Sequence, residues 1–139
     1  NDSIYSRLRD ARKRYPDSGA PELAAAFGRL FGSIDRRVRR GAAQAASDLG
    51  LRLEGVIALV EDPEPSVRTA AMAAARALSL SAAAPAILGR LDDDDPDVRV
   101  IAALALIALR PAELARVNRQ AAEEDCGWVK RRLESALAK

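Results

Sequence analysis

The chain reads as an all-α solenoid, on three observations. First, a Val-Arg pair recurs at a fixed beat: Val67-Arg68, Val98-Arg99 and Val129-Lys130 are spaced by 31 residues, and Val38-Arg39 lies 29 residues before the second copy. A period of this size marks stacked helical hairpins, each too small to bury its apolar face alone. Second, small or apolar residues stand four, seven and eight positions after each valine, and eleven after the first three. That is the 3.6-residue stripe of a helix with one buried face. Third, 49% of the 139 residues are hydrophobic but only 4% are aromatic. The apolar mass is Ala and Leu, strong helix formers.

Residues 1–19 precede the repeats. Ile4, Leu8, Ala11 and Tyr15 lie at helical spacing behind a possible N-cap at Asp2 or Ser3, which predicts a capping helix, with Arg7, Arg9, Arg12, Lys13 and Arg14 on its wet side and a loop from Pro16 to Pro21. Residues 20–139 form the repeat domain, in units of about 20–50, 51–79, 80–110 and 111–139. Each unit pairs a shorter first helix with a longer second one. The first helices are expected at 21–31, 52–60, 82–91 and 112–123. The second helices carry the stripe, in order Ala42, Ala45, Ala46 and Leu49; Ala71, Ala74, Ala75 and Leu78; Ala102, Ala105, Leu106 and Leu109; and Leu133, Ala136 and Leu137. Pro65 and Pro96 mark where two of these begin, because proline suits the first helical position and the acids before them complement the helix dipole.

The residues Asp62…Val67-Arg68…Ala71 and Asp93…Val98-Arg99…Ala102 resemble the HEAT repeat, most closely the phycobilisome-lyase-type repeats of bacteria. Glu124 to Lys130 also fits, with lysine in place of arginine. The first unit departs from the pattern, with Ser33 where the aspartate is expected. The resemblance covers roughly 21–139. It implies a right-handed α-solenoid (an α-α superhelix) of about four HEAT-like hairpins, and an Asp–Arg ladder between successive repeats. On that footing Arg68, Arg99 and Lys130, with Arg39, are ladder residues before they are ligand contacts. The long helices would then line the concave side.

Composition narrows the chemistry. There is no histidine, which removes the commonest general base and zinc ligand. No Gly-rich phosphate loop, metal-ligand spacing or nucleophile elbow is visible. Asp92–Asp95 lacks the alternating ligands and glycine of a calcium loop and suits helix capping instead. No catalytic residue, cofactor or metal is expected. The charge is balanced, 22 basic against 20 acidic residues, which disfavours general nucleic-acid binding. The single cysteine, Cys126, forms no internal disulfide and suggests a cytoplasmic setting. The longest apolar run, Val100 to Leu109, is too short to enter and cross a bilayer. The chain begins at Asn1 and is expected to be part of something longer.

The expected partner is another protein, held as a helix or peptide in the concave groove. Positions one before and two, six and nine after each valine point away from the buried stripe. In the third unit these include Val100, Leu104 and Ile107, so that helix is apolar on its groove side too. An exposed apolar patch with a polar rim marks an interaction site. Trp128 extends the patch, with Arg76 and Arg131 at the rim. A second candidate is the basic cluster Arg36, Arg37 and Arg40, which is also what a solvated helix start looks like. The rival functions implied by the resemblance are a phycobilin-lyase-like or other enzyme accessory domain, and a nucleic-acid-binding HEAT-like domain with Trp128 and Asp97 in its groove.

Overall fold

A computed structural model describes residues 20–139, so the capping helix expected over residues 1–19 lies outside the described residues. Among the described residues every regular element is helical. The α-helices are α1 (Ala20–Phe31), α2 (Arg36–Asp48), α3 (Gly55–Ala58), α4 (Pro65–Ala77), α5 (Ala84–Leu88), α6 (Pro96–Leu109), α7 (Leu114–Glu123) and α8 (Gly127–Leu137). Short 3-10 turns at Leu59–Glu61, Ser81–Ala83 and Pro111–Glu113 adjoin α3, α5 and α7.

Two layers result. Each first helix packs on the long helix that follows it: α1 on α2, α3 on α4, α5 on α6, α7 on α8. The long helices also pack on one another in sequence, α2 on α4, α4 on α6 and α6 on α8. The alanine stripe makes this possible. Ala42, Ala45, Ala46, Ala71, Ala74, Ala75, Ala102 and Ala105 are all buried, and a methyl group lets neighbouring backbones approach closely. Larger side chains fill the space between the layers, among them Phe27, Val56, Val60, Ile87, Leu91, Leu106, Val117 and Leu133.

The long helices start where the sequence places them. Pro65 and Pro96 open α4 and α6. Asp95 caps α6, its carboxylate accepting from the backbone N–H groups of Asp97 at 2.9 Å and Val98 at 3.2 Å. Asp35 caps α2 in the same way, accepting from Arg37 N–H at 2.8 Å. That hydrogen bond, with the Arg37 side chain, holds the Asp35 carboxyl below its ordinary value despite some desolvation.

The first helices are shorter than expected. Over 52–60 only Gly55–Ala58 is α-helical, and over 82–91 only Ala84–Leu88. Pro85 sits in the first turn of α5, where a proline is tolerated, and so pins the helix start. At Gly55 a close approach decides the residue: a Cβ there would run into the ring of Phe31 on α1. The α2 and α4 helices end alike. Gly50 and Ser79 adopt positive φ, 68° and 54°. The N–H groups of Leu51 and Leu80 reach back to the carbonyls of Ala46 and Ala75, both at 2.9 Å. This is the Schellman closure of a helix C-terminus, built once on glycine and once on serine.

Candidate functional site

Two constellations recur or open on this scaffold: a ladder of ion pairs and a cleft between long helices. The ladder has three rungs. Arg39 meets Asp62 at 2.7 Å, Arg68 meets Asp93 at 3.0 Å, and Arg99 meets Glu124 at 3.0 Å. Each arginine also donates to two carbonyls in the turn before its own helix: Ser33 and Ile34, Asp62 and Pro63, Asp93 and Asp94. Each acid in turn accepts from the backbone N–H two residues on, at Glu64, Asp95 and Cys126. One rung therefore ties a helix start, the preceding turn and the next repeat together.

Burial sets the stakes of these pairs. The acid side chains are 3–5% exposed. Desolvation pushes the Asp62 and Glu124 carboxyls up, but the Arg39 and Arg99 guanidinium groups and the turn N–H bonds outweigh it and hold both below their ordinary values. The same bonds raise Arg39 and Arg99 against desolvation. The middle rung is less regular. Arg68 Nε lies 3.0 Å from Asp93 Oδ2 but is not aligned as a donor, and the hydrogen bond runs from Nη2 to Oδ1 instead. Arg90 shares the same carboxylate at 3.4 Å.

Ser33 keeps half of the pattern. Its hydroxyl oxygen accepts from Asp35 N–H at 3.1 Å, the turn bond that Asp62, Asp93 and Glu124 make elsewhere. An uncharged oxygen suffices for that bond. Lys130 stands at the rung position of α8 but makes no ion pair among the described residues, so its expected ladder role does not appear there.

The cleft lies between α4 and α6. It has a volume of about 390 Å³ and is lined by Met72, Ala73, Arg76, Ala77, Ile101, Leu104 and Ala108. The helices explain its shape. Ala73, Ala77 and Ala108 are exposed but small, so the surface dips between Leu104 and Arg76. Leu104 is half-buried and packed against the core. A second cleft of about 380 Å³ continues the seam toward the helix starts, lined by Glu64, Pro65, Ser66, Thr69, Asp95 and Asp97.

The structure sorts the six expected groove residues. Arg76 and Leu104 line one cleft; Val100, Ile107, Trp128 and Arg131 are not part of its lining. Val100 is buried, 4% exposed, which corrects its assignment as an open groove wall. The reason is rotation. At 100° per residue Val100 stands about 40° to one side of Leu104 and Ile101 about 60° to the other. The Ile101 side faces α4 across the cleft, and the Val100 side turns away from it. Trp128 is 41% exposed near the start of α8. Arg131 is exposed, and its guanidinium lies over Gly127. In the basic cluster, Arg36 pairs with Glu64 at 3.3 Å and Arg37 with Asp35 at 3.4 Å, both at the surface, leaving Arg40 exposed. Sequence reasoning missed Met72, Ala77, Ile101 and Ala108. The small residues Ala77 and Ala108 were visible as such in the sequence, whereas Met72 and Ile101 join the lining only through the way the two helices meet.

The acidic run is divided by role. Asp93 belongs to the ladder, Asp95 caps α6, and Asp92 and Asp94 are exposed. With Arg99, Gln120, Glu123, Glu124, Asp125 and Cys126 the turn residues border a cleft of about 580 Å³.

Residues 83–109 match the HEAT repeat family model. The match takes in α5 and α6, one first helix and the long helix it packs on. That segment carries Asp93 and Arg99, whose ladder contacts reach out of it on both sides, to Arg68 and to Glu124. Comparison with curated proteins gives no match. No described helix is long and apolar enough to cross a membrane.

Proposed function

We propose that residues 20–139 form a right-handed superhelix of four HEAT-like hairpins that acts as a non-catalytic protein-interaction module in the cytoplasm. Its long helices line the concave side, and the partner sits in the seam between α4 and α6. The observation that carries the reading is the cleft itself: an apolar floor of Met72, Ala73, Ile101 and Leu104 with the exposed cation Arg76 at its rim. HEAT repeats generally mediate protein interactions, and solenoids present extended surfaces for that purpose. The buried charges of this chain support the same reading, since Asp62, Asp93 and Glu124 are each engaged by an arginine and a backbone N–H. They serve the stacking of helices.

Site-directed photocrosslinking tests the location. A photoreactive residue at Ala73, exposed in the cleft, should capture a distinct partner from lysate. The same residue at Ala82, exposed outside the cleft lining, should not. Equal capture from both positions would remove the seam as the docking site.

A further inference from the structure

The seam between α4 and α6 is electrically polarised along its length, which constrains what can fill it. Glu64, Asp95 and Asp97 border its opening at the helix starts. Arg76 borders the far end; Ser66 and Thr69 lie near the opening, and the floor from Met72 onward is apolar. Arg36 offsets Glu64 in part, at 3.3 Å. One carboxylate oxygen of Asp95 is used in capping. Asp97 is exposed and makes no side-chain bond among the described residues, and neither does Arg76. The acidic end therefore remains net negative and the other end positive.

Three physical arguments follow. The cleft floor at Met72, Ala73, Ala77, Ile101, Leu104 and Ala108 has no side-chain donor or acceptor. An extended peptide laid there would leave backbone groups unpaired, whereas a helix satisfies them internally. The stretch from Ser66 to Arg76 spans ten residues of helix, on the order of 15 Å, so about three turns of a partner helix cover it. A helix is most stable with acids in its first turn and bases in its last. Such a helix matches the seam only when it runs antiparallel to α4 and α6, which also sets its dipole against theirs.

Building on the docking reading above, we infer that the occupant is one amphipathic helix, acidic in its first turn and basic in its last, lying antiparallel to α4 and α6. Its acids meet Arg76, and its bases meet Asp97, Asp95 and Glu64.

Calorimetric titration with two synthetic peptides of about four turns tests this. Both share one Leu/Ala stripe and one composition. One places Glu in the first turn and Lys in the last; the other reverses them. The reversed peptide is intrinsically less helical, so the informative quantity is the affinity ratio of the two, compared between the wild-type chain and an Arg76→Glu, Asp97→Lys variant. Intrinsic helicity cancels in that comparison. The expected result is a preference of at least tenfold for the first peptide on the wild type, falling by tenfold or more on the variant, with the whole effect weakened by salt. Arg76→Glu alone, at an exposed site, should give part of the shift if the double variant folds poorly. A ratio that is the same on all proteins overturns the polarity and leaves the groove standing. Failure of both peptides to bind any of the proteins also overturns the inference, while crosslinking from position 73 judges the groove separately.

Discussion

Arg99 shows at single-residue scale how the repeats are joined. It bridges the turn before α6 to Glu124 at the end of α7, donating to two carbonyls and a carboxylate. Replacing a buried ion pair by apolar residues is often neutral, but removing one partner strands the other. Arg99→Ala should therefore cost about 3 kcal/mol by stranding Glu124. The check is a denaturant melt, with affinity for the partner nearly unchanged. The pH response follows from the same contacts. Asp62 and Glu124 have carboxyls held below their ordinary 3.8 and 4.5. A depressed folded value adds stability above the unfolded value and loses it as pH falls through the folded one. The melting temperature should thus hold steady from pH 7 to about 5 and decline below about 4. In Glu124→Gln the deficit relative to wild type should shrink as the pH drops. The ladder arginines were legible because the Val-Arg pair fixes their positions and the resemblance to HEAT repeats implies their role. Val100 was misplaced because offsets about 40° and 60° to either side of Leu104 look alike in sequence, and the neighbouring helix decides between them.

Helix ends carry the next level of control. The α4 terminus places Ser79 at φ 54°, where α2 has Gly50 at φ 68°. A side chain costs roughly 1 kcal/mol in this region, partly offset because glycine also loosens the unfolded chain. Ser79→Gly should raise stability by about 0.5 kcal/mol, measured by thermal melting. A lower melting temperature would show that the Ser79 side chain holds the turn in some further way. The starts of the long helices were legible because Pro65, Pro96 and their acids are local signals. The first helices were overestimated because their boundaries depend on neighbours. Gly55 is required by the Phe31 ring on α1, a contact across 24 residues of sequence that no local pattern shows.

For the whole molecule, the alanine stripe is the element that lets long helices stack. Ala105 is fully buried in α6, the central long helix of the α4–α6–α8 stack. Ala105→Asp places an unpaired carboxylate there, costing several kcal/mol, on the order of the stability of a domain this size. The variant should lose its helical circular dichroism signal at ambient temperature. The solenoid class and the stripe were legible from periodicity alone. The cleft was legible only in part, Leu104, Arg76 and the groove offset of Ala73 without Ala77 and Ala108, because a groove is a property of two helices and the sequence displays one at a time.

The groove itself is tested most directly at Leu104, half-buried in the cleft wall beside exposed Ala108. The measurement is the affinity of Leu104→Glu for the partner captured from position 73, alongside its circular dichroism melt. The predicted result is a folded protein whose affinity falls by about 2 kcal/mol or more, as for a residue at the centre of an interface. A folded variant that binds at full strength would contradict the assignment of the seam as the docking site.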